Sequence, residues 1–220
     1  MKQPIQKLNA LPAHHRPSMP VLPADCLAVP GVAVRLPISL VTGAIAVKFE
    51  WQGDRWGHGV CVRENADWRR VYQSVEGPWP AEGDPNWPAS AALVEVVRMS
   101  SEDPAAAIVA VGLAGHSHFS ASIIADPNQP QAVLFELACR THQQAHWLGS
   151  TYEVSPTPST AQPQLMIEPV SGCILETIDR GRLWRFSAGR HGGEASAAQA
   201  GNGFRSPLTT VRWSYRIAPA

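Results

Sequence analysis

The sequence has no cysteines spaced to close a metal ribbon. Cys26, Cys61, Cys139 and Cys173 are scattered and form no C-x-x-C pair, whereas a zinc ribbon needs closely spaced pairs to complete its tetrahedron. In a reducing compartment such cysteines act as small buried hydrophobes. Charge of one sign is missing too: 18 Lys and Arg balance 18 Asp and Glu. Without a basic excess to neutralise phosphates, no nucleic-acid partner is expected. No acidic tail points to a basic partner. No apolar run approaches the roughly 18 residues a membrane helix needs, so no membrane partner is expected either. No apolar stretch follows Met1–Ala10, which predicts no secretory signal and a cytoplasmic location. P-loop, G-x-G-x-x-G, H-E-x-x-H and EF-hand patterns are absent. Nucleotide-binding and metalloprotease chemistry is therefore unsupported, and the cofactor is left unknown.

What is abundant points to strands. The chain has 220 residues with 20 Pro, 17 Gly and 8 Trp, a mixture that breaks helices and favours short strands joined by turns. Residues 1–30 carry Pro4, Pro12, Pro17, Pro20, Pro23 and Pro30 with little apolar periodicity, so they read as an extended, mobile arm. Residues 31–220 read as one β domain, interrupted by a Gly/Ala/Ser-rich, mobile loop at 187–207.

The clearest element is a hairpin. Ile45, Val47, Phe49 and Trp51 alternate with polar or small residues, Gly53-Asp54 supplies the turn, and Trp56, His58, Val60 and Val62 return. A two-residue loop sets Trp51 opposite Trp56, Phe49 opposite His58, Val47 opposite Val60 and Ile45 opposite Val62, so the apolar faces coincide. A second hairpin joins 116–125 to 131–140 around Asp126-Pro127-Asn128-Gln129-Pro130. Pairing Ala125 with Gln131 gives one apolar face and one polar face, the latter holding His116, His118, Ser120, Ser122, Glu136 and Arg140. Strands apolar on both faces are expected at 91–99 and 107–113. A third hairpin spans 173–186 with its turn near Arg180-Gly181, and a last strand alternates through Val211, Trp213, Tyr215 and Ile217. Residues 141–148 hold at most a turn of helix. The expectation is an all-β, antiparallel β-sandwich or barrel of about eight to ten strands, with an irregular N-terminal arm.

Two surfaces carry candidate chemistry. His116-Ser117-His118 on a strand projects two imidazoles to one side, a start for a metal site, with Glu136 brought near by the register and His142 sharing the face. His146 lies one loop further on. With Gly112 and Gly115 ahead of it, this segment resembles the first motif of the cupin family, which places a Glu a few residues after H-x-H; here Ser122 and Ile123 stand at those positions, so the motif's third ligand is missing. The competing reading is a solvated sheet face. The same face admits a Ser120 nucleophile with His118 as base and Glu136 as orienter, but a regular strand offers no oxyanion hole and no G-x-S-x-G elbow occurs. The second surface is the loop carrying Trp79 and Trp87, whose indoles either stack on a ligand or fold back as plugs over the core. His58, on an apolar face, reads as a core residue. The leading expectation is a non-catalytic module that binds a small ligand or a protein. The rivals are a metal-dependent enzyme built on His116, His118, Glu136 and His142, and a structural scaffold.

Overall fold

The computed structural model describes residues 35–80, 82–99, 107–156, 165–188 and 208–220. The arm expected over 1–30 lies outside the described residues, as does all but the first two residues of the loop expected over 187–207.

The described chain is all-β. In chain order the strands are β1 (Ile38–Thr42), β2 (Ile45–Trp51), β3 (Trp56–Glu64), β4 (Asp67–Ser74), β5 (Glu95–Met99), β6 (Ala107–Ala114) and β7 (Ser117–Asp126). There follow β8 (Gln129–Thr141), β9 (Gly149–Val154), β10 (Leu165–Ser171), β11 (Cys173–Ile178), β12 (Leu183–Ala188) and β13 (Thr209–Pro219). They form two sheets, ordered β1-β2-β3-β4-β9-β12-β11 and β10-β13-β8-β7-β6-β5. All pairings are antiparallel. Both sheets keep open edges, so the fold is a sandwich and not a closed barrel.

The β2–β3 hairpin has the expected register, with Trp51↔Trp56, Phe49↔His58, Val47↔Val60 and Ile45↔Val62. The Gln52 amide donates to the Arg55 carbonyl at 2.8 Å and closes the turn. The outward side of β3 is glycine for a reason: a Cβ on Gly59 would meet Arg70 at 2.6 Å, and one on Gly57 would meet Gln52 at 2.6 Å. Those longer side chains lie in the glycine slots.

The β7–β8 hairpin departs from expectation by two residues. Ala125 pairs with Val133, not Gln131, and Ile123 with Phe135. The cause is the turn. Asp126 Oδ1 accepts from the Asn128 amide at 2.8 Å, which makes Pro127-Asn128 a two-residue turn closed by Asp126↔Gln129. The excess residues are taken up by an irregularity between Ala125 and Asp126. Because the shift is even, side chains keep their faces. Phe119, Ala121, Ile123, Val133, Phe135 and Leu137 are buried, whereas His118, Ser120, Glu136 and Arg140 are exposed.

Among the described residues there are thirteen strands, more than the eight to ten expected. β1, β4, β9 and β10 were not expected: β1 is short, β4 opens on charged and polar residues, and β10 contains Pro169, tolerated because β10 is an edge. The segment expected as a strand over 91–99 is regular only from Glu95, with Leu93 forming a single bridge to Trp56. No helix forms over 141–148.

Aromatic rings fill the space between the sheets. Trp213, Tyr72, Tyr152, Tyr215, Phe49, Phe135 and Phe186 are among the largest fully buried side chains. A stack runs Phe49–His58 (5.1 Å), His58–Phe135 (5.6 Å), Phe135–Tyr215 (4.9 Å) and Tyr215–Phe186 (4.3 Å). Each such ring contributes about 1.5–3 kcal/mol through burial, so the stack is a large share of what holds the sheets together.

Gly112 on β6 marks where a loop backbone presses on the six-stranded sheet. A Cβ there would sit 1.8 Å from the Ala92 carbonyl oxygen and 2.8 Å from the Val94 nitrogen. Gly112→Ala is predicted to destabilise the protein by about 1–3 kcal/mol, seen as a lower urea midpoint at unchanged m. An unchanged midpoint would mean that the 92–94 backbone is free to retreat.

Candidate functional site

The outward side of the six-stranded sheet can be mapped from its registers. One row across the strands reads Leu113, His118, Arg140, Thr210. The next reads Glu95, Val111, Ser120, Ala138, Arg212, and the third Val97, Val109, Ser122, Glu136, Ser214. The face is therefore graded. Its β5–β6 side is apolar, and Val97, Met99, Val109, Val111 and Leu113 are between 40% and 55% exposed. Its β7 column is serine and histidine, and its β8–β13 corner carries Arg140 and Arg212.

A groove of about 1010 Å³ crosses this face, lined among others by Val111, Leu113, His118, Ser120, Arg140 and Arg212. Glu95 and Leu208 also line it. A smaller adjoining depression shares Ser120, Ala138 and Arg212 and extends over Ser122, Glu136 and Ser214. Among the described residues no carboxylate lies within ion-pairing distance of Arg140 or Arg212. Arg216, in the same strand as Arg212, is by contrast paired with buried Asp126 and lies near Glu168.

Of the histidines expected to bind metal, His118 alone lies in a strand of this face. His118 has Leu113 and Arg140 as its cross-strand neighbours. His116 sits in the two-residue turn between β6 and β7, and His142 follows the end of β8. Glu136 pairs with Ser122, two rows from His118 and about 13 Å along the strand; the two-residue register shift moves it there. Among the described residues no three His, Cys, Asp or Glu side chains form a group able to hold a metal ion. Ser120 lies between Val111 and Ala138, so neither cross-strand neighbour is a base. His146 Nδ1 lies 4.0 Å from Asp84 Oδ2, and its ring is 6.3 Å from that of Trp87.

The Trp-rich loop is engaged with the protein. Trp87 is 6% exposed and belongs to the core. Trp79 is half-buried, with the Arg185 guanidinium 4.7 Å from its ring centre; the same guanidinium lies 3.6 Å from the Trp147 ring. Trp147 Nε1 donates to the Ala89 carbonyl at 3.2 Å. These contacts fasten the loop to the seven-stranded sheet.

Polar groups also cluster inside the sandwich. His58 Nε2 is bonded to the Tyr152 hydroxyl at 2.7 Å, which is bonded to the Tyr215 hydroxyl at 2.7 Å. Burial drives the His58 pKa down to about 3, so the imidazole is neutral at physiological pH. The His58 amide donates to Ser74 Oγ, which donates to Glu76 Oε1 at 2.6 Å. Glu76 is half-buried as a residue, yet Oε2 is fully enclosed and has no partner. Burial raises this carboxyl to about 7, against the opposing Ser74 hydrogen bond and the charge of Arg55. Sequence reading placed His58 in the core but missed Glu76, whose position depends on where β4 ends.

Sequence reading also missed Arg212, Thr210, Val111, Leu113 and Leu208 as groove residues. Thr210 and Arg212 alternate with Val211 and Trp213 and so take outward positions on the last strand. The missing information was that β13 lies beside β8. Comparison with protein families, with curated proteins and with solved structures finds no match to this chain.

The two buried groups predict opposing pH effects. The folded pKa of His58 is depressed, so its contribution is complete above pH 6.5 and is lost as pH falls toward about 3. The folded pKa of Glu76 is raised, so its contribution is complete below pH 4.5 and is lost as pH rises toward about 7. At about 1.4 kcal/mol per unit of pH and proton, the wild type is expected to lose about 3 kcal/mol relative to Glu76→Gln across the second window. It is expected to gain up to about 5 kcal/mol relative to His58→Phe across the first. Urea midpoints measured from pH 3 to 8 test both; difference curves that do not vary with pH would refute them.

Proposed function

We propose that this chain is a non-catalytic binding module that holds a small molecule in the groove on the outward side of its six-stranded sheet. The observation that carries this reading is the composition of the groove. A concave surface of about 1010 Å³ joins exposed Val111 and Leu113 to His118, Arg140 and Arg212. Ligand sites combine an apolar lining with a few convergent polar groups in this way. Contiguous exposed apolar side chains on a sheet face are also the usual mark of an interaction surface.

The geometry supports binding over catalysis. His118 lies beside a cation and an aliphatic side chain, so no cross-strand acceptor orients its imidazole as a base. Three buried free thiols, Cys61, Cys139 and Cys173, support a reducing, cytoplasmic setting. Among the described residues no helix is long and apolar enough to cross a membrane.

Titration with Nile red, an uncharged apolar dye, tests the groove. Saturable binding is expected. Ser120→Trp, which places an indole in the middle of the groove from an exposed strand position, is expected to weaken it at least about tenfold while changing stability by no more than about 0.5 kcal/mol. Dye binding that is indifferent to Ser120→Trp in a folded variant would place the ligand elsewhere.

A further inference from the structure

The grading of the groove points beyond binding to the class of ligand. We propose, resting on the groove reading above, that it takes an acyl monocarboxylate of medium chain length. The carboxylate lies at Arg140 and Arg212, and the chain runs across β7 toward Val111 and Leu113.

Arg140 and Arg212 occupy adjacent rows on neighbouring strands, β8 and β13, with Arg140 opposite Thr210 and Arg212 opposite Ala138. Diagonal neighbours of this kind lie about 7–8 Å apart at the backbone, within reach of long side chains. Both are exposed, and neither is paired with a carboxylate among the described residues. Glu136 lies one row further along and makes no ion pair with either. Guanidinium groups match a carboxylate through two parallel N–H donors. His118, next to Arg140, adds a third donor at that corner.

The other side of the groove is chemically opposite. Val111 and Leu113 stand 45% and 52% exposed, and Val109 and Val97 continue the apolar strip. From β6 to β13 is three strand spacings, about 14 Å, which suits an extended acyl chain of medium length. The floor between is Ser120 and Ala138, small enough to leave the path open. Glu95, opposite Val111, places a negative charge at the apolar end. A ligand with a second carboxylate there is repelled, so the charge pattern selects a monoanion.

Displacement of Nile red from the full chain tests the assignment, with decanoate, decanol, decyltrimethylammonium and sebacate as competitors. Decanoate is expected to compete best and sebacate worse than decanoate. The paired substitution Arg140→Gln with Arg212→Gln is expected to weaken decanoate at least about tenfold and to leave decanol unchanged. Equal competition by decanoate and decanol, or full decanoate affinity in the paired variant, would overturn the carboxylate assignment. Dye binding still sensitive to Ser120→Trp would then show that the groove reading survives. Sedimentation with phosphatidylglycerol vesicles separates a free acid from a lipid surface: capture by vesicles with no response to monomeric decanoate also overturns the proposal. Loss of the Ser120→Trp effect on the dye would remove the groove reading and this assignment together.

Discussion

The two sheets are joined by a hydrogen-bonded relay that runs from His58 on β3 through Tyr152 on β9 to Tyr215 on β13. Apolar packing alone is non-directional and tolerates sliding of one sheet over another. A hydroxyl–hydroxyl bond at 2.7 Å between sheets does not, because it holds at one distance and direction only, and losing it removes a partner from two fully buried hydroxyls. Other polar links act in the same direction. The Tyr72 hydroxyl donates to the Leu165 carbonyl, Trp213 Nε1 donates to Ser150 Oγ, and the Cys173 thiol donates to the Ser214 carbonyl. Each contributes only about 1 kcal/mol net, but each holds at one alignment of the sheets. The ring stack through Phe49, His58, Phe135, Tyr215 and Phe186 adds to the burial energy of the surrounding aliphatic core, and the relay selects the geometry.

That alignment has consequences on the outside. β13 carries Trp213 and Tyr215 inward, and by the alternation of a strand it must carry Arg212 and Ser214 outward. Locking Tyr215 beneath Tyr152 therefore also places Arg212 in the groove. The same logic holds on β7 and β8, where buried Phe119 and Cys139 bring His118 and Arg140 to the exposed side. The groove is the outer surface of a core whose inner surface is set by aromatic packing. A substitution that shifts the core is expected to disturb the groove as well.

Glu76 is one of four described residues, with Trp56, Gln73 and Arg185, that enclose a side-chain polar atom without a partner. One carboxylate oxygen accepts from Ser74, and the other is enclosed without a partner. Retaining a proton to about pH 7 is the physical response to that enclosure, since a neutral carboxyl loses far less solvation than an ionised one. His58 responds to the same environment in the opposite sense, by refusing a proton. At neutral pH His58 is uncharged, whereas Glu76, with its pKa at about 7, stands between its neutral and ionised forms.

Local patterns in the sequence determined the β2–β3 hairpin down to its pairing, because a two-residue Gly53-Asp54 turn and two apolar faces admit one register. They also determined which side of β7, β8 and β13 is polar, because alternation has a period of two and survives any even slip. They did not determine the β7–β8 register. Whether Pro127-Asn128 or the longer loop makes the turn depends on the Asp126 side chain capping Asn128 and pairing with Arg216, a residue 90 positions away. That two-residue difference separated Glu136 from His118. Nor did they determine that β13 lies beside β8, or that β9 joins β4 to β12. Strand order is decided by which buried faces fit together across the sandwich, and it alone brought Arg212 beside Arg140 and opposed both to Val111 and Leu113.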